Sequence, residues 1–412
     1  MDQTSTRFPT LDIIRGVAVL GILAMNIVAF AMPPAAYINP LAYGTQSTAD
    51  LISYAFSFVF VDGKMRGLFS FLFGASLLLV ATRAEQAGDD GIANRRLVWL
   101  LLFGCLHFYL VWYGDILIGY ALTGFLALLC RNWSVRRLLI AAAVLITIQL
   151  LLFIAVTWQT YQAAATIAGP NADPAALAAW ERTTRDVGVP RPERLAETMA
   201  LYLGPWGELV RHQVQDKLLY PFVMTFVYGW ETLGYMLLGM TGLKSGFLAG
   251  EWSDERYRRW ATGGLAVSIA AYLTLLVLLF RDGFSVPGLF ALSFTATVPF
   301  RPIMVAAYAA LIILATRRGG WLVDRLAAAG RAAFTNYLGT SLLMTAFFYG
   351  WGLGQFGTWS RVELWLVVLS MWAIMLAWSK PWLERYRYGP FEWLWRSLSR
   401  GRVQPLRRPA IV

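Results

Sequence analysis

Apolar segments long enough to cross a membrane recur along the whole chain, and they constrain its fold more than any other feature. A helix needs about 20 apolar residues to cross a bilayer, and 58% of the residues are hydrophobic while only 14% are charged. We predict an all-α fold, a polytopic membrane helical bundle with about ten transmembrane helices. The predicted spans, the second of them broken near 62–66, are 11–33, 50–82, 95–112, 115–130, 136–158, 217–242, 261–280, 299–316, 331–350 and 361–379.

Basic residues are distributed unevenly between these spans. With ten spans, most of the 35 lysines and arginines fall on the same side of the membrane as the N-terminus. Cytoplasmic loops of membrane proteins carry such an excess. We therefore predict that both termini are cytoplasmic. The net charge of +11 then reflects orientation in the membrane, and we expect no nucleic-acid partner.

A long polar segment with several prolines divides the spans into two sets. We predict an N-terminal five-span half (1–158), an extracytoplasmic loop or lid (159–216), a C-terminal five-span half (217–396) and a basic cytoplasmic tail (397–412). Helical spacing over residues 192–203 predicts a short helix that lies on the membrane surface. A solvated linker is the alternative for that stretch.

Charged residues interrupt the second span near its middle, in the sequence Asp62-Gly63-Lys64-Met65-Arg66-Gly67. Broken helices at membrane depth are tolerated where they line a buried or water-filled cavity. A helix N-terminus beside Lys64 and Arg66 suits a phosphate or carboxylate, so we predict that Asp62, Lys64 and Arg66 belong to a binding site. The alternative is an internal Asp62–Arg66 pair that only locks the bundle.

The first span places polar residues along one helix face. Asp12 and Arg15 are three residues apart and can pair. Arg15 and Asn26 are just over three helical turns apart, so both lie on nearly the same face, roughly 16 Å from each other along the axis. We include all three in the predicted binding site. The alternative is an arginine that sets topology and an asparagine that bonds a neighbouring helix.

The third span repeats this spacing, since His107 follows Arg96 as Asn26 follows Arg15. An imidazole ordinarily titrates near neutral pH and can act as a general base. We therefore predict that His107 is catalytic and that Arg95 and Arg96 bind substrate. A structural hydrogen bond is the alternative role for His107. Asp115 either caps the fourth helix or orients a base.

Polar residues also occur in the second half of the chain. Glu231 lies inside the sixth span, where a buried carboxylate needs a partner or a proton, and we include it among the catalytic candidates. Arg331 and Asn336 open the ninth span on another polar face and are binding candidates. With two cysteines and two histidines in the chain, we expect neither a disulfide framework nor a metal site.

Several motifs in order resemble the YeiB-like family of bacterial inner-membrane proteins, over nearly the whole chain. They are Leu11-Asp12-x-x-Arg15-Gly16, Phe69-Ser70-x-Leu72-Phe73-Gly74, Gly104-x-x-His107, Gly114-Asp115, Leu233-Gly234-Tyr235, Thr335-Asn336-Tyr337-Leu338 and Gly389-Pro390-Phe391-Glu392. The later motifs resemble that family's C-terminal domain of unknown function. The resemblance implies a multi-pass protein of the inner membrane.

The resemblance extends to membrane acyltransferases, namely the acyltransferase type three and heparan-α-glucosaminide N-acetyltransferase families. It implies a transmembrane acyltransferase-like bundle that moves an acyl group from cytoplasmic acyl-CoA to an extracytoplasmic hydroxyl or amine. Type three acyltransferases carry the catalytic histidine eleven residues after an arginine on the first span. In this chain Asn26 follows Arg15 at that distance, and the 34–49 loop, where the heparan relatives have their histidine, contains none.

Our first hypothesis is acyl transfer from acyl-CoA to an extracytoplasmic or lipid acceptor, with His107, or else Asp115 or Glu231, as the base. Acyl-CoA would enter between Arg15, Arg95 and Arg96. The alternatives are a transporter or a protein that binds lipid or an anionic metabolite without chemistry, and a scaffold for a partner membrane enzyme. Membrane lipids are expected partners, and the sequence leaves a homodimer open.

Overall fold

The computed structural model describes residues 9–89, 91–169 and 173–408. The predicted all-α bundle is confirmed. In the described residues the α-helices are α1 (Pro9–Ala31), α2 (Thr48–Phe56), α3 (Lys64–Gln86), α4 (Ile92–Leu110), α5 (Leu117–Leu129), α6 (Val135–Ala168), α7 (Pro174–Thr184), α8 (Pro192–Leu203), α9 (Trp206–Gln215), α10 (Tyr220–Lys244), α11 (Asp254–Asp282), α12 (Val286–Leu289), α13 (Arg301–Thr316), α14 (Trp321–Arg331), α15 (Ala333–Phe348), α16 (Leu364–Arg385) and α17 (Pro390–Arg400). Two π-helical turns, Ser57–Val61 and Phe290–Thr295, follow α2 and α12.

A helix is present at each of the ten predicted spans. Among the described residues, five segments are long and apolar enough to cross a membrane: Pro9–Ala31, Thr48–Gln86, Val135–Ala168, Asp254–Asp282 and Leu364–Arg385. Helices α6 and α11 also expose large apolar side chains on the outside of the bundle, including Leu139, Ile140, Leu151, Val267 and Val277. Such outward-facing apolar surface is typical of helices in contact with lipid.

Some predicted boundaries were wrong. Helix α6 continues past residue 158 to Ala168, because the alanine-rich end of this segment has high helix propensity. Helix α17 extends to Arg400 and so takes up the start of the predicted tail. Arg331 does not open the ninth span: it ends α14, a helix we did not predict, and α15 begins at Ala333 after a change of backbone direction at Ala332.

The bundle has two distinct ends. At the end we call the terminal end, the Thr10 hydroxyl donates to the Leu248 carbonyl at 2.7 Å and Arg95 Nε donates to the Ser399 carbonyl at 3.0 Å. At the opposite, loop-rich end, the Asn39 amide donates to the Val187 carbonyl at 3.1 Å. The segment with α7, α8 and α9 belongs to this end.

Helices from both halves of the chain share the bundle interior. Helix α1 packs against α14, α15 and α16, and α10 packs against α3, α5 and α6. The side chains of Leu23, Phe30, Met344 and Val368 lie in one buried apolar cluster with others from α1, α15 and α16. These contacts bring the polar positions of α1, α3, α4 and α10 toward a common interior space.

Candidate functional site

A cavity of about 390 Å³ extends from the loop-rich end into the bundle. Its volume lies in the range of small-molecule sites in proteins. Aromatic side chains form much of its wall, including those of Tyr37, Tyr54, Trp112, Tyr228 and Tyr272. Five residues that we predicted from the sequence also line it, namely Asn26, Asp62, Lys64, Arg66 and Asp115.

The break in the second span forms part of the cavity wall. It is shorter than predicted, since Asp62 and Gly63 lie outside the helices while Lys64 and Arg66 belong to the first turn of α3. Gly63 has a φ of 72°, a left-handed conformation that side chains other than glycine rarely adopt. A Cβ at this position would also lie 3.1 Å from the Arg301 side chain. The glycine therefore allows the sharp turn to pass close to Arg301.

Lys64 is fully buried beside this break. Its ammonium donates to the Phe58 carbonyl, and its Nζ lies 3.3 Å from the centroid of the Tyr272 ring. A carbonyl in the π-helical turn and an aromatic face thus stabilise its charge. The Asp62 carboxylate borders the cavity and interacts electrostatically with the positive charges of Lys64 and Arg301. It makes no hydrogen bond to the described residues.

The alternative Asp62–Arg66 pair does not form. Arg66 instead reaches Glu231 on α10, with Nη2 at 2.7 Å from Oε2. Arg301 on α13 donates from Nη1 to both oxygens of Glu231 at 2.9 Å, and the Tyr235 hydroxyl donates to Oε1 at 3.2 Å. Glu231 is therefore the shared partner of two arginines that line the cavity, and is itself fully buried behind them.

We did not name Arg301 as a site residue from the sequence. It lies inside the predicted eighth span, and a charged residue within a span is a signal for a functional or paired group. Its side chain is largely buried and also donates to the Thr297 hydroxyl at 2.6 Å. Arg301 lines the cavity and contributes the second cation of the Glu231 network.

His107 and Asp115 form a buried pair. His107 Nδ1 lies 2.8 Å from Asp115 Oδ1, and the second carboxylate oxygen accepts from the Ile118 backbone N–H at 2.9 Å. Asp115 thus accepts a hydrogen bond from the first turn of α5, whose N-cap position is Ile116, and lies beside the histidine. Because an ionised carboxylate only accepts, the pair favours a proton on Nδ1 and a lone pair on Nε2. Nε2 is buried without a hydrogen-bond partner among the described residues.

Asn26 and Trp112 border two cavities. Both line the large cavity and also a small one of about 10 Å³, which Tyr337 and Ser341 help to enclose. The His107 ring centroid is 5.3 Å from that of Tyr337 and 6.3 Å from that of Trp112. His107 itself lines neither cavity, but the neighbouring Tyr337 and Trp112 rings form part of the wall of the small one.

Four other predicted residues lie at the terminal end, away from the large cavity. Arg15 pairs with Asp12 at 3.2 Å and donates to the Ser76 hydroxyl at 2.6 Å. Arg95 pairs with Asp89 at 2.7 Å on the surface. The Arg96 guanidinium lies 4.2 Å from the centroid of the Trp395 ring on α17.

Asn336 and Arg331 are also remote from the large cavity. The Asn336 amide donates to the Ala329 carbonyl at 3.1 Å and to the Ser379 hydroxyl at 3.2 Å, and its oxygen accepts from Trp378 Nε1 at 2.9 Å. Its bonding groups therefore join α14, α15 and α16. Arg331 is the last residue of α14.

The segment over the loop-rich end packs onto the bundle. The Tyr202 ring of α8 stacks on Phe356 at a centroid distance of 4.5 Å, and its carbonyl accepts from the Gly350 N–H at 2.9 Å. Asp186 and Lys217, at either side of α8 and α9, line the cavity. The predicted helix over 192–203 is present as α8, and the segment contributes two charged groups to the cavity that we did not predict.

Comparisons with known proteins agree with the motifs. Residues 243–402 match a family model described as Protein of unknown function (DUF418). The chain is 31% identical over 404 residues to Uncharacterized protein YeiB of Escherichia coli (strain K12), with 95% of each chain covered. It is 29% identical over 433 aligned positions to Uncharacterized protein YxaH of Bacillus subtilis (strain 168), covering 99% of this chain and 98% of that one.

No solved structure matches the chain. A third relative, Uncharacterized 39.9 kDa protein in amylase 3'region of Bacillus acidopullulyticus, is 25% identical over 416 aligned positions, with 97% of this chain and 96% of that one covered. Matches of this length include both halves of the bundle and the cavity between them. The chain belongs to the YeiB-like family of DUF418 membrane proteins.

Proposed function

We propose that this protein is an integral-membrane acyltransferase in which His107 is the general base. The observation that carries the proposal is the His107–Asp115 pair, joined at 2.8 Å, whose Nε2 has no partner among the described residues. A carboxylate that holds Nδ1 leaves Nε2 as the proton acceptor of a neutral imidazole. Asp115 is also part of the wall of the large cavity, which is large enough for an acceptor.

The reaction needs no covalent intermediate on the protein. An acceptor hydroxyl or amine attacks the thioester carbonyl of the acyl donor while its proton passes to His107 Nε2. The carbon–sulfur bond then breaks, and the departing thiolate takes the proton from the imidazolium. General base catalysis of this kind contributes about 10²- to 10⁴-fold to the rate.

The position of His107 supports this role. Type three acyltransferases have their histidine where this chain has Asn26. In the bundle, Asn26 borders the same small cavity as Trp112 and Tyr337, the two rings next to His107. A base on α4 would thus act on nearly the same space as a base at the Asn26 position of α1.

Acyl-CoA is the proposed donor, from the cytoplasmic side. In the topology predicted from basic residues, that side is the terminal end, which carries Arg15, Arg95 and Arg96. The acceptor would enter the large cavity from the loop-rich end, which the same topology predicts to be extracytoplasmic. Donor and acceptor would then meet beside His107.

Acyl transfer can be tested in inverted membrane vesicles that contain the overproduced protein. We would add acetyl-CoA, butyryl-CoA and palmitoyl-CoA with a radiolabelled acyl group and measure label recovered in material other than CoA esters and free acid. We expect His107→Gln to lower the transfer by about 100-fold or more. His212→Gln is the matched control, because His212 forms an exposed pair with Asp216 at 2.7 Å.

Two outcomes would contradict the proposal. One is equal label in vesicles with and without the protein for all three donors. The other is unchanged transfer by a folded His107→Gln variant.

The second candidate is binding or transport of an anionic metabolite or lipid headgroup without chemistry. The buried Arg301 and the partly buried Arg66, which both line the cavity, favour it. In that case ligand binding would fall with rising salt, because an ionic contact is screened. His107→Gln would then leave the binding unchanged.

A further inference from the structure

Arginines from three helices meet at the terminal end. Arg96 of α4 lies on the Trp395 ring of α17, and Trp395 Nε1 donates to the Arg96 carbonyl at 2.9 Å. Arg396 is the next residue of α17, and Arg400 follows one turn later on the same face. These contacts place the start of α4 alongside α17.

The charges of these arginines act on one another. The positive charge of Arg96 is repelled by the charges of Arg396, Arg400 and Arg15. Burial lowers the pKa of Arg396, and the charges of Arg400 and Arg15 act in the same direction, while Tyr388 and Glu392 oppose it. Like charges held close together in a partly buried position destabilise one another unless an anion is present.

Carboxylates balance this group only in part, through the Arg15–Asp12 pair and the charge of Glu392 near Arg396. Among the described residues, Arg96, Arg396 and Arg400 form no ion pair. Arg396 packs its guanidinium 4.6 Å from the Tyr388 ring centroid, and Arg400 donates to the Gln404 amide oxygen at 2.9 Å.

Neither of the two nearby acids pairs with Arg96, Arg396 or Arg400. Asp12 pairs with Arg15. Glu392 accepts hydrogen bonds from the backbone N–H groups of Phe334 and Thr335 at the start of α15.

We propose that Arg96, Arg396 and Arg400, together with Arg15, form a binding site for phosphate groups at the terminal end of the bundle. Guanidinium groups recognise phosphate through paired hydrogen bonds and keep their charge in partly buried positions. The site is distinct from the large cavity, and two of its four arginines come from α17, at the end of the DUF418 match. Helix α17 thus has a binding role in addition to its packing.

Two sources can supply this chemistry. One source is the phosphate groups of CoA. In that case the inference rests on the proposed function, because this site would bind the acyl-CoA donor. The other is the phosphate of an anionic lipid headgroup, since basic clusters at the cytoplasmic membrane surface attract such lipids. The lipid composition of the membrane distinguishes the two sources, because a membrane without anionic lipid leaves CoA as the only phosphate ligand.

The test uses the purified full chain in nanodiscs. In nanodiscs of phosphatidylcholine alone we would titrate free CoA and inorganic pyrophosphate and measure the melting temperature and the affinity. In a second set we would add phosphatidylglycerol to the lipid and measure the melting temperature without other ligands. The variant is Arg396→Gln/Arg400→Gln. The control is Arg136→Gln/Arg137→Gln, two exposed arginines in the first turn of α6.

We expect CoA and pyrophosphate, or else phosphatidylglycerol, to raise the melting temperature of the wild type and of the control. The Arg396→Gln/Arg400→Gln variant should bind these anions about 10- to 100-fold more weakly than the wild type does, because it lacks two charged hydrogen-bonding groups. A response to CoA identifies the donor as the source, and a response to phosphatidylglycerol alone identifies the headgroup.

Equal responses of variant and control, or no response to any of the three anions, would overturn the site. His107→Gln should retain the anion response. A failure of acyl transfer is therefore distinguishable from a failure of this inference.

Discussion

Gly74 of α3 and Gly239 of α10 face each other at a helix crossing that leaves no room for a side chain on either. A Cβ on each would overlap backbone atoms of the facing helix. Arg66 precedes Gly74, and Glu231 precedes Gly239, by the same eight residues, or about 12 Å along each axis. Because both helices run from the loop-rich end to the terminal end, the crossing brings Arg66 and Glu231 to the same depth, where they pair at 2.7 Å.

We expect Gly239→Ala to destabilise the protein by about 1–3 kcal/mol, because the added methyl group forces α3 and α10 apart. Thermal unfolding in detergent measures the effect. Gly263→Ala on α11 is the control, since a Cβ there has open space and alanine favours the helix. Equal melting temperatures of the two variants would show that the crossing tolerates a side chain.

Glu231→Gln should cost about 3–5 kcal/mol of stability, because it leaves Arg66 and Arg301 buried without their shared counter-charge. The same change at Glu255, which pairs with Arg259 on the exposed surface of α11, should cost about 0–1 kcal/mol. Melting temperatures of the two variants against the wild type test this difference. A Glu231→Gln protein as stable as Glu255→Gln would mean that the two arginines find other partners.

Substitutions at Asp115 should separate its two roles. Asp115→Asn keeps an oxygen that can cap α5 at the Ile118 N–H, so we expect nearly unchanged stability. It removes the carboxylate that orients His107, so acyl transfer should fall by about 100-fold or more. Asp115→Ala should lose the transfer and also about 1 kcal/mol of stability. The idea fails if Asp115→Asn transfers acyl groups at the wild-type rate.

The buried carboxyl group of Glu392 predicts that the stability of the protein depends on pH. Burial raises its pKa above the ordinary value of 4.5, so the folded protein holds this proton more tightly than the unfolded chain does. Its contribution to stability is fully present below pH 4.5 and is lost as the pH rises through the raised pKa. The stability of the wild type relative to Glu392→Gln should therefore increase on acidification. Melting temperatures of both proteins from pH 4 to pH 8 provide the test, and a constant or opposite difference would contradict the prediction.

Much of the fold could be predicted from local patterns. Each apolar run became a helix, and the glycines and charges at 62–67 indicated the break that now borders the cavity. The hydrogen bond between Asp115 and the first turn of α5 was also predictable, because a capping interaction depends only on the residues that follow it, although the N-cap position itself is Ile116. Helix ends at Ala168 and Arg331 were missed, since boundaries depend on propensity and packing as well as on hydropathy.

The partners of the buried polar groups could not be predicted from the sequence. Asp62 was a plausible partner of Arg66 by spacing alone, but Glu231, far away in the chain, pairs with it. Arg301 completes the network from α13. Asn336 has the same residue type and setting as Asn26, yet it joins three helices away from the large cavity. A local pattern shows that a charge inside a span needs a partner, but only helix packing decides which one it has.

The amino-acid sequence by itself determined that this chain is an all-α membrane bundle of the YeiB-like family. Hydrophobic length, positive charge and motif order are properties of the chain that need no three-dimensional contact. The tertiary structure decided that His107 and Asp115 face each other and that Glu231 forms ion pairs with two arginines. It also decided that Arg396 and Arg400 of α17 lie near Arg96 of α4. The physical reason is that a buried polar group takes its partner from whichever helix lies beside it, and the crossing of helices such as α3 and α10 sets that neighbour.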